Sequence, residues 1–570
     1  MNMERYRNFE FSIFLTVGCI NGMFGEGCDP DEQFAYFSKH IKFSKVYLEA
    51  FRSEATPLDR LLKAKKYFED RGIRTATAIM PSSSPLYPAS ARMLCYTSDG
   101  VKKLFSEYIA SMAAYFDEIM IDDSLATDCT CESCRAAKGD RSWTEFRLQL
   151  MTDFCRDYII APAKRVNPNV TMTIKYPTWH DSYQTLGYNT ETQPPMFDAT
   201  YSGTETRHTT YALFRNPRYT SYSLIRYLQS CPPHNNRGGW FDDLMCANDM
   251  NVFTQQAELT LLSDPKEVTL FCWSCNRNTM FPPAMSYFLD RTDRILDTLG
   301  EPAGLPVYLP HHSRGEDYVA DYLGMCGIPT DPTVEFPAET VPVLLTGASC
   351  CDNGLIEKIR GHLLAGGDVI LTSGCFAKLQ EDPAFEFSAM RVTGRSVAEA
   401  EFGGFDSGWS DNVAYESAAH PVALPVIEWQ TNENEFFAVQ TPEMFPNILL
   451  ARSWFGPGKL WLLNIPDNYA DLMAIPGSVM SYVRKYLSKT LNVWLEGQNR
   501  VAVFPRRNNT FALYNFMDHG APVLAHVQGC SELLTDLVSG RTYAPYRVTD
   551  SETVYRLSLE PNTLAAFRYE

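Results

Sequence analysis

Between residue 10 and about residue 300, eight short β-rich apolar runs alternate with amphipathic helical patterns. The runs are Phe11–Val17, Lys45–Glu49, Arg74–Ile79, Glu118–Ile121, Thr171–Lys175, Ala199–Tyr201, Gly239–Phe241 and Val268–Phe271. Between them, stretches such as Leu58–Glu69, Gly100–Tyr115, Trp143–Val166 and Asn251–Leu262 place apolar residues three and four apart, the spacing of a half-buried helix. Eight strands each followed by a helix predict a closed (β/α)8 barrel, a TIM barrel, over residues 1–302. Phe11 to Phe24 is apolar enough to resemble the core of a leader, but Glu4, Arg5, Arg7 and Glu10 flank it, and it reads as the first barrel strand. A cytoplasmic location is expected, or a periplasmic one if a leader was removed.

Near Leu305 the pattern restarts. "GLPVYLPHH", "VPVLLTGAS" and "GDVILTSG" are buried-strand runs with helical patterns such as Asn353–Ala365 between them. They predict a doubly wound α/β domain over residues 303–488, with a β-rich insertion near 385–455. From residue 489 to 570 apolar and polar residues alternate between turn signals, which predicts a small antiparallel β domain.

A net charge of −18 argues against a nucleic-acid partner, because phosphate binding needs a basic surface. The same acidic field disfavours anionic polymers, so among carbohydrates a neutral glycan is the one expected to suit it. No run of 18 apolar residues is present, so no membrane span is expected. The 34 Phe, 30 Tyr and 9 Trp suit either a large core or stacking on sugar rings.

Sixteen cysteines in 570 residues do not make a disulfide scaffold; Cys155, Cys246 and Cys326 read as small buried apolar residues. Cys129, Cys131 and Cys134 form C-x-C-x-x-C just after the fourth strand. Thiolates this close suit a tetrahedral ion, normally Zn²⁺ at roughly 2.3 Å from each sulfur. Cys95, in the loop after the third strand, lies at the same barrel end and can supply the fourth ligand. Four protein ligands leave no open position, so the expected zinc is structural, and no catalytic cofactor is expected.

The active site of such a barrel lies at the C-terminal ends of its strands. Strand two ends with Glu49 and then Arg52; strand four ends with Asp122 and Asp123; strand six leads into Tyr201, Glu205 and Arg207; strand seven ends with Trp240, Asp242 and Asp243. Glycosidic cleavage needs two carboxyl groups, one to protonate the leaving group and one to attack or to activate water. Trp179, Tyr201, Trp240 and Trp273 are candidate walls of a sugar subsite, and Lys175, His180 and Arg52 candidate donors to hydroxyls. Each acid also has a plainer reading. Asp122 or Asp123 could cap the next turn, Glu205 could pair with Arg207 or Arg52, and Asp243 reads best as solvated or capping.

An acid pair ending strand four, followed by C-x-C-x-x-C with a lone cysteine upstream, resembles the family 42 β-galactosidases. The order of barrel, glutamine-amidotransferase-like α/β domain and small β domain resembles theirs too. The resemblance implies a retaining glycoside hydrolase with a structural four-cysteine zinc, in a homo-oligomer (dimer or trimer) contacting through the second domain. It would put Asp123 in the acid/base position, Asp242 in the nucleophile position and Arg52 in place of the arginine ending strand two. Asp stands here where the family has Glu, at both positions. A strand-four Asp nucleophile resembles instead the α-galactosidase and α-fucosidase barrels, with Asp122 or Asp123 attacking and Glu205 as acid. A third reading is a non-catalytic carbohydrate-binding protein derived from a hydrolase. The second domain resembles class I amidotransferases in fold pattern, but neither Cys375 nor Cys350 and Cys351 stand in a Gly-x-Cys-x-Gly elbow, and no catalysis is expected there.

Overall fold

The computed structural model describes residues 4–25, 27–81, 93–208, 216–246, 249–406, 414–441 and 446–570. The chain divides into two compact units, Met1–Asp297 and Thr298–Glu570.

In the first unit the eight predicted strands are all present: β1 Glu10–Leu15, β2 Lys45–Arg52, β3 Arg74–Met80, β4 Glu118–Ile121, β5 Thr171–Tyr176, β6 Ala199–Gly203, β7 Asn236–Asp242 and β8 Glu267–Phe271. Neighbours pair in parallel in chain order, and β1 pairs with both β2 and β8, which closes the barrel. Residues Glu54–Ala55 fold back antiparallel on the end of β2. Phe14, Tyr47, Ala76, Ala78, Met120, Tyr201 and Trp240 fill the interior. Outside the ring, helices such as Leu58–Glu69 and Phe281–Leu296 bury one apolar stripe and expose the other face. Because all strands run the same way, every residue that ends a strand is delivered to one mouth.

The second unit holds one mixed nine-stranded sheet and two smaller ones. Five parallel strands are ordered Thr330–Thr333, Leu305–Tyr308, Val343–Leu345, Val369–Thr372 and Gly458–Leu463. This is the 2-1-3-4-5 order of flavodoxin-like folds. The insertion extends this sheet: Asn447–Phe455, Glu435–Gln440, Met390–Gly404 and Tyr415–Trp429 add antiparallel to its edge. The last 80 or so residues form a four-stranded and a five-stranded sheet around a shared apolar core that includes Val493, Leu513, Val523 and Tyr555. Cys155, Cys246 and Cys326 are fully buried, as expected of apolar packing residues.

Candidate active site

At the mouth of the barrel, Lys175 projects inward from β5 and is fully buried. Its ammonium lies 3.0 Å from Asp123 Oδ1, 3.5 Å from Asp122 Oδ1 and 3.6 Å from Glu205 Oε1. It sits over the Trp240 indole at 3.8 Å from the ring centre, a cation–π contact that fixes it from below. Trp240 in turn stacks on Phe271 of β8, with ring centres 5.0 Å apart. Three strand ends thus meet on one cation.

Glu205 reaches this lysine because β6 ends in a glycine. A Cβ on Gly203 would come within 2.8 Å of Glu205 Oε2, so a larger residue would push the carboxylate out of place. Glu205 Oε2 is buried and accepts no hydrogen bond among the described residues. On the other side, Arg52 donates to Glu49 Oε1 at 2.6 Å through Nε and to Asp122 Oδ2 at 3.2 Å through Nη2. The Val17 backbone N–H donates to Glu49 Oε2 at 2.9 Å. Arg207 adopts a left-handed φ of 57° and clamps Asp242 with two parallel bonds, Nε to Oδ1 at 3.1 Å and Nη2 to Oδ2 at 2.6 Å.

This packing moves several protonation equilibria. Burial lifts the Asp123 carboxyl to about 6; Lys175 opposes the shift, and Asp122 and Glu205 add to it. Burial also raises Glu205, against Lys175 and Arg207 and with help from Asp242. Glu49 is pushed up to about 7 by burial and by Asp122, despite Arg52. Asp243 rises to about 6 through burial and the charge of Asp242 beside it. Three carboxyl groups, Asp122, Asp123 and Glu205, share one ammonium, and of these Asp123 and Glu205 are raised.

Several expectations need correction. Tyr201 is not a subsite wall. It is fully buried inside the barrel, with its hydroxyl bonded to Thr269 Oγ1 at 2.7 Å. Trp273 is not at the mouth either. It is fully buried against Phe37, Phe43 and Phe68, and its indole N–H donates to Gln33 Oε1 at 3.3 Å. Glu205 lies 3.6 Å from Lys175 and is also acted on by the Arg207 charge, while Arg52 is engaged by Glu49 and Asp122. Asp243 is half-buried and its Oδ1 accepts from Asn276 Nδ2 at 3.4 Å. Trp179 and His180 are part-exposed at the end of β5, where Trp179 packs on Tyr188. Cys272 and Cys275, not anticipated from the sequence, follow β8 with their sulfurs 3.1 Å apart. Their C-x-x-C spacing was the available signal.

Beyond the mouth, the sulfurs of Cys95, Cys129, Cys131 and Cys134 all lie within 4.8 Å of one another, and Cys95 Sγ is 3.6 Å from both Cys131 Sγ and Cys134 Sγ. Thiolates about 2.3 Å from a tetrahedral ion sit about 3.8 Å apart, so this donor set fits such an ion. The Cys134 backbone N–H holds the Cys131 thiol down at about 7, while burial pushes the Cys129 and Cys134 thiols up.

Comparison with known proteins agrees with this architecture. A family model described as "Probable glycosyl hydrolase, catalytic domain" matches residues 1–287, half of the chain. The chain belongs to that family. A second model, the second domain of "Uncharacterized protein SSO3021", matches residues 300–468. That protein, from Saccharolobus solfataricus, is 24% identical over 367 residues, 57% of this chain and 60% of its own length. The chain thus spans less than two thirds of that relative. Among solved structures, a β-galactosidase from Bacillus circulans sp. alkalophilus superposes with a TM-score of 0.65 at 11% identity, covering 100% of both chains. An α-L-fucosidase, isoenzyme 2 from Paenibacillus thiaminolyticus, gives 0.66 at 12% identity, again covering 100% of both chains. Gan42B, a GH42 β-galactosidase of G. stearothermophilus, gives 0.65 at 10% identity over 99% of each. The chain therefore shares the fold of a GH42 β-galactosidase over 99% of its length.

Proposed function

We propose that this protein cleaves a terminal glycosidic bond of a neutral glycoside by a retaining mechanism, with Asp123 as nucleophile and Glu205 as proton donor. The observation that carries the reading is the shared lysine. Asp123 and Glu205 both lie within 3.6 Å of Lys175 Nζ, so their facing oxygens are no more than about 7 Å apart. That bound takes in the roughly 5 to 5.5 Å of retaining enzymes and reaches only the lower edge of the roughly 6.5 to 9.5 Å that inverting ones use to admit a water. Lys175 is closer to Asp123 and keeps its charge there, as attack on C1 requires. Glu205, farther from the cation and with one oxygen unbonded, holds the proton that the leaving oxygen takes up. When the glycosyl intermediate forms, Glu205 has lost that proton and serves as base for the incoming water. By its resemblance to the α-galactosidase and α-fucosidase barrels, a strand-four Asp nucleophile points to an α-linked substrate.

A second reading makes Asp242 the nucleophile, favoured by the bidentate Arg207, which fixes the orientation of that carboxylate. The two separate cleanly on a panel of 4-nitrophenyl and alkyl α- and β-glycosides. We expect turnover of an α-linked aryl glycoside with retention at C1, read by NMR. Asp123→Asn should lower kcat by about 10³-fold or more on every substrate. Glu205→Gln should do so mainly on alkyl glycosides, whose leaving groups need the proton. Full turnover in both variants, with loss in Asp242→Asn, would overturn the assignment.

We propose further that the four-cysteine cluster holds a structural zinc that ties the loop after β3 to the loop after β4. Metal analysis should give about one zinc per chain. A zinc-free protein with four titratable thiols at these positions would refute it.

A further inference from the structure

The second compact unit contains a cavity of about 790 Å³ that the barrel reading leaves without a role. Its volume falls within the usual range of small-ligand sites, about 300 to 1,000 Å³. One wall is the outer face of the four-stranded sheet, in which Val493–Gly497, Ala521–Gln528, Glu552–Leu559 and Arg547–Val548 lie side by side. Strand alternation sorts the residues. Val493, Leu495, Ala525, Val527 and Tyr555 point into the apolar core, while Trp494, Glu496, His526 and Glu552 point to the cavity. The opposite wall carries Tyr482 and Lys485 from the helix Gly477–Leu487.

The two walls are tied together at their inner end. Helix residue Arg484 is fully buried and donates to the carbonyls of Gly497 at 3.1 Å and Gln498 at 3.2 Å. The Gly497 N–H donates to Ser481 Oγ at 2.9 Å, and a Cβ on Gly477 would lie 2.5 Å from the Gly497 carbonyl oxygen. The cavity is thus a fixed shape rather than a gap between loosely packed parts.

Trp494 is held as a rigid plate. Its ring stacks on His526 with centres 3.8 Å apart at 24°, and its Nε1–H donates to Glu552 Oε2 at 3.3 Å. His526 is itself buried, with Nδ1 3.0 Å from Glu552 Oε1 and Nε2 3.1 Å from Glu496 Oε2. Across the cavity Lys485 pairs with Asp406. His526, Glu496, Glu552, Lys485 and Asp406 therefore meet partners within the walls, and Glu416 and Arg547 add one further charge of each sign, so the lining is mixed and selects neither a phosphate nor a metal ion. It offers an indole, a tyrosine ring and carboxylates whose remaining lone pairs can accept hydroxyl protons.

We infer that this cavity is a second carbohydrate-binding site, taking a neutral sugar or short neutral oligosaccharide on Trp494. A sugar ring matches the chemistry on both counts: a C–H face to lie on the aromatic plate, and a rim of hydroxyls to donate to Glu496 and Glu552. The site holds ligand without cleaving it, and it stands independently of which barrel carboxylates are catalytic.

The test is calorimetric titration of the full chain with maltotriose, cellotriose, xylotriose and lactose, in the wild type and in Asp123→Asn. At least one should bind with the same affinity in both. Trp494→Ala should weaken that binding by roughly ten-fold or more while leaving aryl-glycoside turnover unchanged. Glu552→Gln, nearly isosteric, should weaken it by a few-fold and serves as the second variant if Trp494→Ala fails to fold. No binding by any of the four sugars, or unaltered binding in both cavity variants, would overturn the proposal. Absent turnover in the wild type would sink the barrel reading and leave this one standing.

Discussion

The barrel buries charge at both ends, and the two ends are built differently. At the N-terminal end, Lys45 lies 2.6 Å from Glu118 and 3.0 Å from Glu267, and Arg237 lies 3.2 Å from the same two carboxylates. Two cations face two anions. Burial alone would push the Glu267 carboxyl up, but Lys45, Arg237 and the Ser12 hydroxyl together hold it below the usual range. At the C-terminal mouth, Glu49, Asp122, Asp123, Glu205 and Asp242 gather around Arg52, Lys175 and Arg207. Among the described residues five acids there share three cations, and the carboxyls of Glu49, Asp123 and Glu205 are all raised. A matched cluster holds strands together. A mismatched one leaves a proton near neutrality for chemistry to use, at a cost in stability.

The sharpest way to break this contrast is to disturb the balanced end. Glu267→Gln leaves Lys45 and Arg237 facing only Glu118 in a buried site. Breaking a buried pair in this way typically costs about 3 to 5 kcal/mol. We expect a loss of that order in urea unfolding, with kcat of the folded fraction unchanged. A variant as stable as the wild type would mean that the lower cluster is not structural. Glu205→Gln, the matching change at the mouth, should cost activity and little or no stability.

The two ends were also unequally legible in the sequence. The strands themselves were plain, because a strand covered on both faces reads as an uninterrupted apolar run, and all eight occur where such runs were found. The cysteine cluster was legible because close spacing in one loop leaves few geometries, and barrel topology puts Cys95 at the same end. Which cation holds which acid was not legible. Arg207 reaches Asp242 on the next strand through a left-handed turn that nothing in "TETRH" announces. Aromatic direction was equally hidden. Alternation along β6 places Tyr201 on its inward face, but alternation alone does not say whether an inward ring reaches the mouth or fills the barrel interior, as this one does. Trp273 follows a strand by two residues, yet its ring turns outward onto Phe37, because an indole gains more from that apolar pocket than from a polar mouth. The antiparallel extension of the second sheet was visible only as β-rich texture, since pairing partners far apart in sequence leave no local signature.

A subtler effect should separate the ends by pH. Asp123 titrates near 6 in the folded chain, against about 4 in an unfolded one. Between those values the folded state binds the extra proton, so stability falls as pH rises from about 4 to about 6 and stays lowered above that. Asp123→Asn removes the titrating group. The variant should therefore match the wild type near pH 4 and exceed it at pH 8 by about 1 to 3 kcal/mol in urea unfolding. Glu267, whose carboxyl is lowered, has the opposite sign: it stabilises above the unfolded carboxylate range, and that contribution is lost as the pH falls through its folded value. If Asp123→Asn tracked the wild type at all pH values, the mouth would carry no stored ionisation cost. The contrast between the two clusters would then reduce to a difference in position.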